Sequence, residues 1–116
     1  MKYKVEYSQI VRRKLHVLKQ NLTLQFGTEP ATKGIKAITA SVKTLEDYPL
    51  KGVSVADMFG IDTDYRYVYV RHNYVFYYLE GNKVIIGEMF DDREDFMYKL
   101  FGISSESKES VDYWDE

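Results

Sequence analysis

Residues 65–90 read YRYVYVRHNYVFYYLEGNKVIIGEMF. Tyr, Val, Phe and Ile dominate the stretch, and these are the side chains that pack best on a pleated surface. Its period is two. Tyr65, Tyr67 and Tyr69 fall on one side of a strand, Arg66 and Val68 on the other. Polar breaks at His72-Asn73 and Gly81-Asn82 divide the run into three strands, 65–71, 73–80 and 83–90, joined by tight turns. Strands connected in this way form an antiparallel meander.

Upstream the period changes. Tyr3, Val5 and Tyr7 alternate with Lys2, Lys4 and Glu6 as one more short strand, and Ser8 then offers a helix N-cap oxygen. Val11, Leu15, Leu18, Leu22 and Phe26 recur every three to four residues, and Ile10, Val17 and Leu24 widen that helical stripe. Gly27 ends the helix, and Pro30 suits the first turn of a second one with the stripe Ala31, Ile35, Ile38, Val42 and Leu45. Two helices with so short a link pack as a hairpin. Pro49 and Gly52 mark the exit, and residues 53–64 read as loop. After the meander, Asp91 or Asp92 can cap a short helix carrying Phe96, Met97, Leu100 and Phe101, which Gly102 stops. The order β-α-α-β-β-β-α predicts an α+β fold, an antiparallel sheet packed on an N-terminal helical hairpin. One domain is expected over residues 1–102. Residues 103–116 form a Ser-rich, acidic tail, expected to be mobile, with an aromatic pair at Tyr113-Trp114.

Composition narrows the function classes. The 116 residues are 45% hydrophobic and 29% charged, an ordinary globular balance. Eleven Tyr and six Phe supply large buried area to a small core. The absence of cysteine excludes disulfides, thiolate nucleophiles and cysteine metal sites. No run approaches the ~18 apolar residues of a membrane span, and the first residues lack a signal-peptide core. A cytoplasmic protein with no membrane association is expected. The net charge of −2 is unevenly spread: +7 over residues 1–43, −5 over 44–101 and −4 over 102–116. A basic front half can mark a surface for a polyanion or an acidic partner, or can simply be two solvated helices rich in Lys and Arg. No phosphate-binding glycine loop, Ser-His-Asp set or metal-ligand spacing is present. The acids Asp91, Asp92, Glu94 and Asp95 are contiguous and point in different directions, so neither a metal nor another cofactor is predicted.

Three stretches carry a family resemblance. The opening YKVEYSQIVRRKL, the central 65–90 run and the DDREDF segment at 91–96 together resemble the RelE/ParE toxin superfamily, in the same order and over residues 3–101. The resemblance implies the toxin of a bacterial type II toxin–antitoxin (plasmid stabilization) system, neutralised by a cognate antitoxin. Such a toxin would act on translation, by ribosome-dependent mRNA cleavage, or on DNA gyrase. Attack of a 2′-hydroxyl on its own phosphodiester needs a proton acceptor, cations for the developing charge and a proton for the leaving oxygen. Carried over by position, Arg66 and Arg93 match basic sites of the nucleases, and Tyr98 matches an aromatic hydroxyl of the final helix. His72, at a turn, is the further candidate for proton transfer. Val68 and Val75 stand where the nucleases carry cations, and Glu88 where relatives often carry a base. These departures favour a non-catalytic, ParE-like binding toxin over an mRNA endoribonuclease, a fold relative acting only through protein–protein interaction being the further alternative. If the tyrosine-bearing sheet face makes the core, the opposite face presents Arg66, Val68, Val75, Tyr77 and Leu79 as an apolar protein-binding surface. Val68, Val75 and Tyr77 are therefore the expected antitoxin contacts.

Overall fold

The computed structural model describes residues 2–103, and the predicted tail lies outside that range apart from Ile103. Strand β1 (Lys4–Tyr7) leads into helix α1 (Gln9–Phe26), whose N-cap is Ser8: its hydroxyl accepts from the Val11 N–H at 3.1 Å. Helix α2 (Thr28–Lys43) follows after Gly27 alone and continues into a 3₁₀ turn at Thr44–Glu46. Then come β2 (Val53–Ser54), α3 (Val55–Phe59), β3 (Arg66–Val70), β4 (Asn73–Glu80), β5 (Lys83–Asp91) and α4 (Phe96–Phe101).

The five strands form one sheet in the order β1-β5-β4-β3-β2. The meander β3-β4-β5 is antiparallel, as its two tight turns require, with Val68 opposite Val75 and Val75 opposite Met89. The sheet is nevertheless mixed. The helical hairpin carries the chain across the sheet, so β1 lies parallel to β5 at the far edge. Residues 53–64, expected as loop, hold β2 and α3, elements too short to show a period in sequence. The last helix starts later than expected, capped by Asp95, whose carboxylate accepts from the Tyr98 N–H at 3.2 Å. Asp91 is still the last residue of β5.

Both faces of the sheet are covered. On one side α1 and α2 bring Val11, Ile38, Val42 and Leu45 against Val68, Val75, Tyr77, Val84, Ile86 and Met89. On the other, α3 and α4 close over Phe76 and Phe90, with Val55, Tyr65, Tyr67, Tyr74 and Phe96 around them. A strand buried on both faces reads as a continuous apolar run, and β4, NYVFYYLE, does so. A bulge after Phe76 shifts the pairing from Glu88 to Ile86, leaving Gly87 as the extra residue. A side chain at 87 would start 2.8 Å from the Tyr65 hydroxyl, so glycine makes room for that ring.

The short β1 pairs only with Lys83–Ile86, and the rest of β5 is protected by side chains instead. Ser8 donates to the Gly87 carbonyl at 3.2 Å. Lys14 donates to the Met89 carbonyl and to Glu88, both at 2.8 Å, with its ammonium 4.2 Å above the Phe90 ring.

Tyr77 fastens the hairpin to the sheet. Its hydroxyl donates to Pro49 O at 2.7 Å and accepts from the Gly52 N–H at 2.9 Å, both in the loop leaving the helices. Burial pushes its phenol above the ordinary range. Removing that hydroxyl in Tyr77→Phe strands a buried N–H and a carbonyl and should cost about 1–3 kcal/mol in a denaturant melt. Gly52→Ala should be at least as damaging, because its Cβ would lie 2.5 Å from the Tyr77 hydroxyl and 2.9 Å from Tyr67 O. A melt unchanged in both variants would show that this loop is not tied to the core.

Candidate functional site

The turn between β3 and β4 is made by Arg71 and His72, with φ of 49° and 64°. Two positive φ angles in a two-residue hairpin define a type I′ turn, which normally takes Asn-Gly. Without glycine this conformation costs roughly 1–2 kcal/mol per residue. Sequence reading placed the turn one residue later, at His72-Asn73. Asn73 instead begins β4 and donates from Nδ2 to Arg71 O at 2.8 Å. Asp92, the residue after β5, holds the same turn from the other side. Its N–H donates to His72 O at 2.8 Å. Its carboxylate accepts from the Tyr69 hydroxyl at 2.6 Å and lies 3.0 Å from His72 Nδ1.

Tyr69, His72 and Asp92 thus form an exposed polar cluster at the end of the sheet. The hydrogen bond to Asp92 pushes the Tyr69 phenol up to about 12, and the same bond holds the Asp92 carboxyl below its ordinary value. A phenol so tightly protonated is a poor proton acceptor near neutrality. The His72–Asp92 pair can orient a proton. Arg71 is exposed at the tip of the turn, with no side-chain partner among the described residues. Beside it, Arg93 is forked onto Asp91, with Nε at 3.0 Å from Oδ1 and Nη2 at 2.8 Å from Oδ2. That fork lowers the Asp91 carboxyl and raises the Arg93 guanidinium.

The four positions carried over for chemistry do not converge. His72 and Arg93 meet at this end of the sheet. Arg66 is at the opposite end of β3, six residues or roughly 20 Å of strand from His72. Its guanidinium donates to Leu50 O at 3.2 Å and Gly52 O at 2.9 Å. Tyr98 sits two residues after Phe96, so it points away from the sheet while Phe96 packs on Tyr74 at 5.0 Å. It is 61% exposed.

The apolar face expected for an antitoxin is also corrected. Val68, Val75 and Tyr77 are 8%, 1% and 0% exposed, because that face packs on the helical hairpin. The tyrosine face is covered around Phe76 and Phe90 by α3 and α4, while Tyr69 at its end stays 51% exposed, so neither face is open along its length. The sequence reading missed Tyr69, Arg71 and Asp92. The signal for them was indirect: a two-residue hairpin turn without Asn-Gly, and an acid just past the end of β5.

Among the described residues, no three His, Asp or Glu side chains come together to hold a metal ion. None of the described helices is long and apolar enough to cross a membrane. No family model matches the chain, and no curated protein matches it. Among solved structures it is similar to a chain of the chromosomal ParDE TA system from P. aeruginosa, with a TM-score of 0.65. The match covers 77% of this chain and 95% of that one at 14% identity, a likeness of fold.

The Tyr69–Asp92 bond has a defined pH window. A phenol raised from its ordinary 10.0 keeps the bond intact below 10.0 and loses it as pH climbs toward about 12. A carboxyl lowered from 3.8 keeps the bond above 3.8 and loses it as pH falls through its depressed value. Titration of the Tyr69 ring carbons by NMR should therefore give a midpoint near 12, returning toward 10.0 in Asp92→Asn. An ordinary midpoint in the parent chain would mean that the bond does not form in solution.

Proposed function

We propose that this chain is the toxin of a toxin–antitoxin pair, held in check by a cognate antitoxin in the cytoplasm. It acts by binding a protein target rather than by cutting RNA. The ParDE TA system whose chain shares the fold supports the toxin–antitoxin assignment. DNA gyrase, the protein target that the sequence resemblance implies, is the first to test. The observation that carries the binding mode is the state of the arginines. Arg66 is tied to two loop carbonyls and Arg93 to Asp91, while Val68 is buried where a nuclease would need a cation. Phosphodiester cleavage depends on cations free to meet charge as it develops, and Arg71 is the one arginine of the turn cluster left free to do so.

The cluster of Arg71, His72 and Asp92 is the specific feature that favours the ribonuclease alternative. In that reading His72 transfers the proton, and Arg71 and Arg93 offset the charge. His72→Ala or Arg93→Ala would then slow cleavage at least ~10-fold, or ~1.4 kcal/mol of barrier.

The deciding experiment is induced expression with growth, message integrity and plasmid supercoiling followed together. Growth arrest with intact message and altered supercoiling is expected. Fragmented message in a purified translation reaction would overturn the binding mode, and an absence of any arrest would overturn the toxin reading itself. Arg66→Ala should lower stability by about 1–2 kcal/mol through its lost carbonyl bonds. Its activity is therefore to be compared at matched folded fraction. Residual activity unchanged on that basis would place Arg66 in the fold rather than the site.

A further inference from the structure

We propose that the outer edge of strand β1, where it borders helix α2, is a strand-addition site for an acidic, extended segment of a partner protein. The inference does not rest on the toxin reading and would hold for a non-toxic chain. β1 is one edge of the five-stranded sheet. The N–H and C=O of one strand residue point to one side, and those of the next residue to the other. Lys4 and Ser8 turn theirs to β5: the Lys4 N–H donates to Asn82 O at 3.0 Å and the Ser8 N–H to Ile86 O at 2.9 Å. Tyr3, Val5 and Tyr7 therefore turn theirs outward. The chain covers the first part of this edge itself. Glu46 O accepts from the Tyr3 N–H at 2.9 Å, and a Glu46 carboxylate oxygen lies 3.5 Å from the Val5 N. Farther along, the Val5 carbonyl and the Tyr7 N–H and carbonyl have no partner among the described residues.

A groove of about 510 Å³ lies along this part of the edge, between β1 and α2. Val5 and Tyr7 line it from the strand, and Lys36, Ala40 and Lys43 from the helix. Those three are spaced i, i+4 and i+7, so they share one face of α2. Ala40, between the two lysines, leaves depth for a chain to lie in. Lys36 is exposed and has no acidic partner among the described residues. The Tyr7 hydroxyl is partly buried without a hydrogen bond, and burial alone pushes its phenol above the ordinary range.

Glu46, the single acid of the lining, shows what such a site binds. Its carboxylate reaches a β1 N–H and an α2 lysine together, with Lys43 Nζ at 3.3 Å. The Tyr7 N–H and Lys36 repeat that pair of groups farther from Glu46, and no described residue supplies an acid to them. An extended chain in the groove can take both. Its backbone pairs with the open groups of Val5 and Tyr7, as in other additions of a strand to a sheet edge. Every second side chain then turns toward α2, where acids meet the lysines and cations are repelled. The open edge is only two residues long, so backbone pairing alone is weak and the charge decides which segments bind.

The probe is a labelled synthetic octapeptide of alternating valine and glutamate, titrated into the full chain and followed by fluorescence anisotropy. Saturable binding is expected, with a Kd below about 1 mM. Lys36→Glu, a change at an exposed position, should weaken it at least ~10-fold. Two further peptides, N-methylated at every valine or at every glutamate, keep the charge. Only one set of amides can face β1, so one of the two should bind at least ~10-fold more weakly than the other. In the complex, hydrogen exchange at the Tyr7 amide should slow at least ~10-fold. The proposal is overturned by an absence of saturable binding at about 1 mM peptide. It is also overturned by equal binding of a valine–lysine peptide, by equal binding to Lys36→Glu, or by equal binding of both methylated peptides with Tyr7 exchange unchanged. A labelled oligothymidylate that binds more tightly than the acidic peptide, and is lost in Lys36→Glu, would overturn it by assigning the groove to a nucleic-acid backbone.

Discussion

The central strand has no solvent side, and the rest of the molecule follows from that constraint. Tyr77 points toward the helical hairpin and Phe76 toward α3 and α4, each 0% exposed. Burying both rings requires two covers, so a sheet of this size needs helices before and after it in the chain. The Tyr77 hydroxyl makes the first cover specific. It cannot be left unpaired in the core, and its partners at Pro49 and Gly52 set where α2 must release the chain. Arg66 holds the same loop from the neighbouring strand. The loop is short and polar in its backbone, and these bonds satisfy it.

That constraint also separates what was legible in the sequence from what was not. The two periods, 3.6 over residues 9–45 and two over 65–90, are local properties, and they located both helices and the meander. Ser8 was found as a cap because one residue type at one position carries the signal. The side of the sheet facing the helices was not local. Tyr65, Tyr67 and Tyr69 alternate as cleanly as Val68 and Val70 do, and alternation alone does not say which set is inside. The error over Val68, Val75 and Tyr77 followed from assuming that one face stays open, when α3 and α4 cover it. Residues 53–59 were unreadable because a two-residue strand and a five-residue helix hold less than two periods of pattern.

The arginines carry the same lesson into function. Position in a strand or at a junction says that a guanidinium is near a site, and says nothing of what it already binds. Arg66 and Arg93 matched by position, yet both are engaged within the fold. Arg71 matched nothing, and its side chain has no partner among the described residues. A guanidinium held by a carboxylate at 2.8 Å can turn to a phosphate only by leaving that carboxylate with its charge unpaired. Chemistry at this end of the sheet would therefore begin with a rearrangement of Asp91 and Arg93, whereas recognition of a partner would not.

The turn at Arg71-His72 shows how such a surface persists. Its two left-handed residues are unfavourable without glycine, and Asn73, Tyr69 and Asp92 together hold them in place. The strain is offset by bonds from both flanking strands and from the start of the β5–α4 junction, although the tip is exposed. A turn whose backbone is already held by these bonds loses little backbone freedom on contact with a partner, while the exposed Arg71 side chain still has rotamer freedom to lose.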